Sequence, residues 1–218
     1  MGLIEFYKYV DNQILSILSN KYNLKYNILI CFVDGNEHYS KKNNITKIDI
    51  GKSDYFKKNI MKINNKIEKY NIINIRFSIE YYFNKSCDLK LLMQFLNEHL
   101  LDNGYLIIYT LSEEKINSYF MRNITLIGKY KILPLYDVTD TLSSYGKEIV
   151  VGKEPHDECI YIVDIDEIKL IAEKYNISYI GEVKFSSFAE SFFKTDNILY
   201  TDDLQAIFLC KIHIFRKK

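Results

Sequence analysis

Two apolar segments with an amphipathic segment between them decide the fold: Ile72-Ile-Asn-Ile-Arg-Phe-Ser-Ile79, then Asp88 to Leu101, then Tyr105-Leu-Ile-Ile-Tyr-Thr-Leu111. The outer segments are continuous apolar runs, which are typical of buried strands, whereas the middle segment has apolar residues at helical spacing. Asn103-Gly104 follows the middle segment as a stop signal for the helix. A strand, a helix and a strand in direct succession predict a right-handed βαβ unit in a parallel sheet.

The same alternation extends from this unit in both directions. The other predicted elements are, in chain order, a helix over 3–18, strands over 27–33 and 44–50, a helix over 55–70 capped by Ser53, a short helix over 112–120 that Ser112 opens, short antiparallel strands over 123–163, a helix that Asp164 caps and that extends to Tyr175, a strand over 178–183, a helix over 185–193 and a long strand over 204–215. We therefore expect a single α/β domain over residues 1–218, in which 123–163 form a small β insertion. The sheet should be mostly parallel, with an antiparallel C-terminal edge pair.

Composition places the chain among globular proteins and excludes several classes of function. The 218 residues are 48% hydrophobic and include 19 Tyr and 13 Phe, which is too much apolar area for a disordered chain. The 29 basic and 28 acidic residues leave a formal charge of +1, so no global field attracts nucleic acid or a membrane surface. The four cysteines never form a CxxC pair, which favours a reducing compartment. We expect a cytoplasmic protein without a secretory signal or a membrane span.

The sequence carries none of the common motifs for metal binding or nucleophilic catalysis. The four histidines, His38, His99, His156 and His213, are widely spaced, and a metal site needs three or four converging ligands. No GxSxG, HExxH or Walker loop occurs. We therefore predict no metal site.

The end of the first strand is the place where a doubly wound sheet would bind a nucleotide-like ligand. A cradle there needs small residues, but in Ile28-Leu-Ile-Cys-Phe-Val-Asp-Gly-Asn-Glu-His38 only Gly35 is small and flexible. Because Phe32 and Val33 stand where a glycine-rich loop would run, we interpret the segment as a packed strand end. Asp49, at the end of the second strand, could accept two ribose hydroxyls or could cap the following turn.

Four segments, in order along residues 72–217, resemble the cap guanine-N7 methyltransferase family. They are Arg76-Phe-Ser-Ile-Glu-Tyr-Tyr-Phe83, Asn103-Gly-Tyr-Leu-Ile-Ile-Tyr-Thr110, the block from Glu158-Cys-Ile-Tyr-Ile-Val to Leu170-Ile-Ala-Glu-Lys-Tyr-Asn-Ile177, and the closing stretch 204–217. The resemblance implies a Rossmann-like methyltransferase fold. It also implies that Tyr81 matches the family's Tyr and that Glu158 matches its guanine-reading Glu. Structural roles would explain both residues equally well, since a Tyr packs well at a strand end and a Glu can cap a turn.

The departures from the family concern the cofactor site. The family's first strand ends in Asp-Leu-Gly-Cys-Gly-Lys-Gly, which wraps the methionine part of S-adenosylmethionine, and this chain has lost nearly all of those glycines. The segment between Asp49 and Arg76 is too short for the strand and the acidic residue that hold the adenine. The resemblance thus implies a fold that is truncated and degenerate at the cofactor site, with Asp34, Gly35 and Asp49 as vestiges of it.

The combination of a retained methyltransferase-like core and a degenerate cofactor site resembles the small subunits of poxvirus-type mRNA-capping enzymes, including those of virus-like cytoplasmic linear plasmids. It implies a non-catalytic regulatory subunit that needs no cofactor and forms a heterodimer with the large catalytic subunit, whose guanine-N7 methyltransferase domain it stimulates. Contact with capped RNA would be indirect, and Glu80, Tyr81 and Glu158 would be remnants of a cap pocket.

Two alternatives stay open. One is an active, S-adenosylmethionine-dependent cap methyltransferase that uses these three residues and Asp49. The other is an RNA-binding or scaffold module with the basic tail Arg216-Lys217-Lys218.

Overall fold

A computed structural model of the protein describes residues 3–22, 27–32, 44–49, 68–139, 143–153, 156–194 and 199–218. The helices of this part are α1 (Leu3–Tyr22), α2 (Ser86–His99), α3 (Glu113–Met121), α4 (Ile165–Glu173), α5 (Ala189–Phe193) and α6 (Thr201–Ile207), with short 3-10 helices at Ile79–Tyr82 and Phe185–Phe188. The strands are β1 (Asn27–Phe32), β2 (Asn44–Asp49), β3 (Tyr70–Arg76), β4 (Leu100–Leu111), β5 (Leu126–Ile127), β6 (Tyr130–Pro134), β7 (Glu148–Lys153), β8 (His156–Tyr161), β9 (Ile177–Lys184) and β10 (Cys210–Lys217). The helix predicted to start near residue 55 lies largely outside the described residues, but its predicted end is wrong, because Tyr70 is the first residue of β3.

The larger sheet has six strands in the order β2-β1-β3-β4-β10-β9. Strand β1 is parallel to β2 and β3, and β3 is parallel to β4, as the predicted βαβ unit requires. Strand β10 runs antiparallel to both of its neighbours, β4 and β9. The sheet is therefore mixed, which corrects the prediction of a mostly parallel sheet, whereas the predicted antiparallel pair of C-terminal strands, β10 and β9, is present at its edge.

The position of β10 has a simple cause in the chain path. Lys211, near the start of β10, lies opposite Lys184, the last residue of β9. After the short helices between the two strands, the chain therefore re-enters the sheet at the same end at which β9 terminates. From there the chain enters the space beside β4 in the opposite direction, and β9 is left at the outside.

The smaller sheet has four strands, β5-β6-β7-β8, and each pair is antiparallel. It lies within the segment 123–163, where the sequence predicts short strands. One of its faces packs with Ile116 and Phe120 of α3 and with Leu209. The segment thus forms a separate layer beside the carboxyl end of β4, from which α3 follows directly.

Two sequence predictions for the C-terminal half of the sheet are wrong in detail. The predicted strand over 204–215 begins only at Cys210, because residues 201–207 form α6, with Asp202 and Asp203 in its first turn, where carboxylates stabilise a helix. Asn103-Gly104 does not follow a helix end but lies inside β4, with Asn103 at a φ of 64°. A Cβ at Gly104 would be 2.9 Å from the Asn71 carbonyl oxygen, so glycine permits the close approach of β3.

Helices cover both faces of the larger sheet. On one face, α2 and α4 bury Leu92, Leu96 and Ile168 against Ile73 and Ile108. On the other face, α1 and α5 bury Phe6, Val10 and Phe192 against Ile72 and Ile107. Alternate residues of β3 and β4 thus serve opposite layers, as expected for strands buried on both faces. None of the helices in the described part of the chain is long and apolar enough to cross a membrane.

Candidate functional site

The predicted vestiges of a cofactor site lie mostly outside the described residues. Asp34, Gly35 and Val33 belong to the undescribed segment 33–43. Phe32 and Asp49 are the last residues of β1 and β2, and the parallel register places them opposite each other. That register brings the ends of these two strands together. The prediction that Phe32 and Val33 close a nucleotide cradle stays a prediction.

The carboxyl end of β3 is occupied by a buried polar cluster, which we call the Arg76 cluster and define as Asp11, Asn74, Arg76 and Tyr109. Asp11 projects from α1 and is 1% exposed. Its carboxylate forms an ion pair with Arg76 and accepts hydrogen bonds from the amide of Asn74, at 3.2 Å, and from the hydroxyl of Tyr109. Burial is the main cause that raises the pKa of Tyr109, with the charge of Asp11 second, so this hydroxyl keeps its proton.

Aromatic rings continue the Arg76 cluster towards the surface. Phe77 follows β3 with a φ of 45°, an uncommon value for a residue other than glycine. Its ring centre lies 5.3 Å from that of Tyr7, 5.9 Å from that of Phe185 and 6.1 Å from that of Tyr109. The α1 side of the ends of β3 and β4 is thus filled by the chain's own side chains.

A cavity of about 310 Å³ lies next to this filled region, between the larger and the smaller sheet. Glu80 and Tyr81 reach it from the 3-10 helix that follows β3, and Glu158 reaches it from β8. The structure therefore brings together the three residues that the resemblance assigns to a cap pocket, although Tyr81 and Glu158 are 77 positions apart in sequence. Nothing in the cavity tests the assigned role itself, which stays a prediction.

Glu80 is the most unusual group in the cavity. Its side chain is 1% exposed, and neither carboxyl oxygen has a hydrogen-bond partner of normal geometry. Burial raises the pKa of Glu80 to about 8, and the nearby backbone N–H groups of Glu80 and Leu111 offset only part of this effect. At neutral pH Glu80 is therefore mainly a neutral carboxylic acid, able to donate one hydrogen bond and to accept others.

Tyr81 and Glu158 contact each other directly. The Tyr81 hydroxyl donates a hydrogen bond of 3.1 Å to Oε2 of Glu158. Tyr81 is half-buried, and Glu158 is exposed at the edge strand β8. The bond connects the end of β3 with the smaller sheet and orients the Glu158 carboxylate beside the cavity.

Sequence analysis missed other parts of the lining. Tyr7 of α1 and Cys210 of β10 both border the cavity, and a hydrogen bond joins their side chains. Burial raises the pKa of the Cys210 thiol to about 12, and the charge of Glu80 adds to that effect. In the sequence, Tyr7 is explained as part of the apolar face of a helix and Cys210 as part of a strand. Neither residue therefore belongs to a local sequence motif that would indicate a functional site. Only the arrangement of α1 and β10 around the end of β3 reveals them.

The described residues contain no group of three or more side chains suited to hold a metal ion. Nδ1 of His99, at the end of α2, lies 2.9 Å from the carbonyl oxygen of Phe95. His213 lies in β10, where burial lowers its pKa to about 4. His156 is the first residue of β8, and His38 lies outside the described residues.

Comparison with known proteins supports the fold and nothing finer. No family model matches the chain, and no curated protein matches it. Among solved structures, it is similar to an S-adenosylmethionine-dependent methyltransferase from Clostridium acetobutylicum, with a TM-score of 0.52 and 13% identity over 97% of this chain and 92% of the other. It is also similar to Streptomyces venezuelae DesVI, with a TM-score of 0.54 and 9% identity over 97% and 92% of the two chains. The chain has an α/β, methyltransferase-like fold.

Proposed function

We propose that this protein is a non-catalytic regulatory subunit that binds and stimulates the guanine-N7 methyltransferase domain of an mRNA-capping enzyme. The observation that carries the proposal is the Arg76 cluster. In α/β sheets of this kind, ligands bind beyond the carboxyl ends of the strands. Here the end of β3 on the α1 side is closed by a buried ion pair and aromatic rings, while the layers that maintain the fold are intact.

The outer edge of the sheet supports the same proposal. In the described part of the chain β2 is the edge strand, and β3 follows on the other side of β1. This order fits the interpretation that the short segment between Asp49 and Arg76 has lost the strand and the acidic residue that would hold an adenine. Together with the glycine-poor sequence after β1, it supports a chain without the methyl-donor site of the resembled family.

Stimulation by such a subunit is a coupling free energy. The large catalytic subunit would exist in more and less active conformations, and this chain would bind the more active one more tightly. The difference between the two binding free energies then sets the largest possible stimulation. No methyl donor and no catalytic residue of this chain take part, and contact with capped RNA would be indirect.

A second candidate is a divergent, active cap guanine-N7 methyltransferase, and one observation favours it. The cavity between the two sheets collects Glu80, Tyr81 and Glu158, the residues that would position the cap guanine. Transfer of a methyl group to N7 demands positioning of the donor and the base rather than a general base. This candidate requires that S-adenosylmethionine bind to the isolated chain.

The deciding experiment is co-expression with the large catalytic subunit of an mRNA-capping enzyme from the same source. We expect copurification in a one-to-one complex, and guanine-N7 methylation by the complex well above that of the large subunit alone. In calorimetry, we expect the isolated chain not to bind S-adenosylmethionine. Tight donor binding together with methylation of a capped transcript by this chain alone would establish the second candidate. A monomer that leaves the activity of the large subunit unchanged would contradict the proposal, and a salt-sensitive RNA complex of the lone chain would then favour an RNA-binding module.

A further inference from the structure

We propose that the outer face of the smaller sheet, which we define as Leu126, Leu133, Leu135, Val150 and Cys159, is the surface that binds the large catalytic subunit. The identity of this partner rests on the proposed function, because a regulatory subunit needs a stable interface with the enzyme that it stimulates. The assignment of this face as an interface rests on the arrangement of its own side chains.

The register of the strands places these apolar side chains on one side of the sheet. Leu133, Val150 and Cys159 lie opposite one another on β6, β7 and β8, and opposite residues of antiparallel strands point to the same side. Ile132 and Ile160 alternate with them and point to the other side, where they pack with α3. The smaller sheet therefore has a buried inner face and an outer face, and both are apolar at their centre.

The side chains of the outer face are open to solvent in the isolated chain. Leu126 is 62% exposed and Leu135 is 55% exposed. Cys159 is exposed, and Leu133 and Val150 are only half-buried. An antiparallel sheet that meets water on one side normally carries polar residues on that side. Neighbouring exposed apolar residues with a polar rim are typical of a surface that binds another protein.

Within the described part of the chain, the other sheet faces are already covered. Helices α2 and α4 bury one face of the larger sheet, and α1 and α5 bury the other. The inner face of the smaller sheet packs with α3 and lines the cavity. A folded partner that needs an apolar sheet surface therefore finds it, among the described residues, on the outer face.

Charged residues flank the apolar centre on both sides, which is the usual arrangement of an interface core and its rim. One flank holds Lys131 and Asp157, whose side chains form an ion pair of 2.9 Å across Gly152. The other flank holds Glu148, which lies opposite Tyr161. The two carboxylates outnumber the lysine. The complementary surface should therefore be apolar at its centre and present a basic side chain to Glu148.

The size of the outer face argues against a second copy of this chain as its occupant. Four strands about 4.8 Å apart, each with about five residues at about 3.4 Å, cover about 300 Å². Two such faces in contact would bury about 600 Å², well below the roughly 1,200 Å² of a stable specific interface. The occupant must therefore extend beyond the sheet, as a larger catalytic subunit does.

Two cysteines that are exposed in the described part of the chain provide the test and its internal control. Cys159 lies in the outer face, and Cys87 lies in the first turn of α2. Alkylation with iodoacetamide, followed by mass spectrometry of the peptides, measures the reactivity of both thiols in the isolated chain and in the complex with the large subunit. We expect the complex to slow alkylation of Cys159 at least about tenfold, because a packed interface excludes solvent, and to leave that of Cys87 unchanged.

A charge in the outer face should weaken the complex. Leu135→Glu should raise the dissociation constant about 10- to 100-fold, since it removes an apolar contact and buries a carboxylate without a partner. Leu170→Glu is the matched control, because Leu170 lies on α4 outside this face and is 59% exposed. It should bind as the unchanged chain does. If Leu135→Glu fails to fold by circular dichroism, Leu126→Glu, at the other end of the face, provides the same test.

A stimulated complex in which Cys159 stays reactive, or in which Leu135→Glu binds with unchanged affinity, would overturn this inference and leave the proposed function intact. Absence of any complex would contradict the proposed function, and this inference with it. Protection of Cys159 in the chain alone, together with a dimer in size-exclusion chromatography with light scattering, would assign the outer face to a second copy and overturn the choice of partner.

Discussion

Arg76 is the residue whose environment differs most from what its sequence position suggests. It is the last residue of β3, a strand that is buried almost throughout. Here its guanidinium pairs with Asp11 of α1, inside the molecule. One long basic side chain thus changes the end of β3 from an open edge into a part of the core, and it does so only because α1 supplies the opposite charge.

Replacing Arg76 by Ala should destabilise the protein by about 3–5 kcal/mol, since the change leaves the Asp11 carboxylate buried without its cation. Chemical denaturation followed by circular dichroism measures the free energy of unfolding. Lys194→Ala provides the control, because Lys194 forms an exposed ion pair with Glu190 at 2.9 Å and its removal should have no measurable effect. Equal stabilities of the two variants would show that the Arg76 pair is not buried in solution.

Glu80 should make stability depend on pH. Its folded-state pKa of about 8 lies above the ordinary value of 4.5, so the folded state holds the proton more tightly than the unfolded state. The contribution of this group is fully present below the unfolded pKa and is lost as the pH rises through the folded pKa. Between about pH 5 and pH 8, stability should fall by up to about 1.4 kcal/mol per pH unit from this group.

The Glu80→Gln variant isolates that dependence. Its free energy of unfolding, measured by urea titration at several pH values, should fall less steeply over the same range than that of the unchanged protein. The difference between the two proteins should therefore grow in favour of the variant as the pH rises. Parallel pH curves for the two proteins would show that Glu80 is ionised in the folded state.

At the scale of elements, the two helices that begin at the carboxyl ends of strands differ in their caps. The Asp164 side chain accepts hydrogen bonds from the backbone N–H groups of Asp166 and Glu167 at the start of α4, as predicted. Ser112, also predicted to open a helix, makes no such bond at the start of α3. Its hydroxyl is buried without a partner among the described residues, and its backbone N–H bonds to the carbonyl of Leu209.

Asp164→Ala should therefore cost about 1–2 kcal/mol, because it removes the cap of α4 and the acceptor for the hydroxyl of Ser144. Ser112→Ala should be close to neutral, because it removes a hydroxyl that forms no bond. Thermal unfolding of the two variants under the same conditions tests the contrast. A larger loss for Ser112→Ala would mean that its hydroxyl does cap α3 in solution.

The central β3-α2-β4 unit, which was predicted well, and the start of the long strand predicted over 204–215, which was wrong, differ in how local their sequence signals are. The β3-α2-β4 unit combines long apolar runs with clear helical periodicity, and all three elements are present. The segment Leu204–Phe215 contains apolar residues throughout, but its first part forms a helix because Ile207 is buried against α1's face of the sheet. A short apolar run does not by itself distinguish a strand from a helix.

At the scale of the whole molecule, the order of strands predicts where the fold is most resistant to opening. Strands β3 and β4 are central and almost wholly buried, whereas β5 has two residues and lies at the edge of the smaller sheet. In hydrogen exchange followed by mass spectrometry, amides of β3 and β4 should be protected at least about a hundredfold more than those of β5. Comparable exchange rates would indicate that the two sheets open together.

The sequence by itself determined the central β3-α2-β4 unit, the cap of α4 and the layering of helices on a sheet, because these depend on apolar periodicity and on contacts a few residues apart. Tertiary structure alone decided that β10 enters between β4 and β9, that Asp11 neutralises Arg76, and that Tyr7, Glu80 and Cys210 border one cavity with Glu158. Those contacts join residues that are far apart in the chain. Burial changes the protonation of Glu80 only after distant elements have closed around it, which no local pattern records.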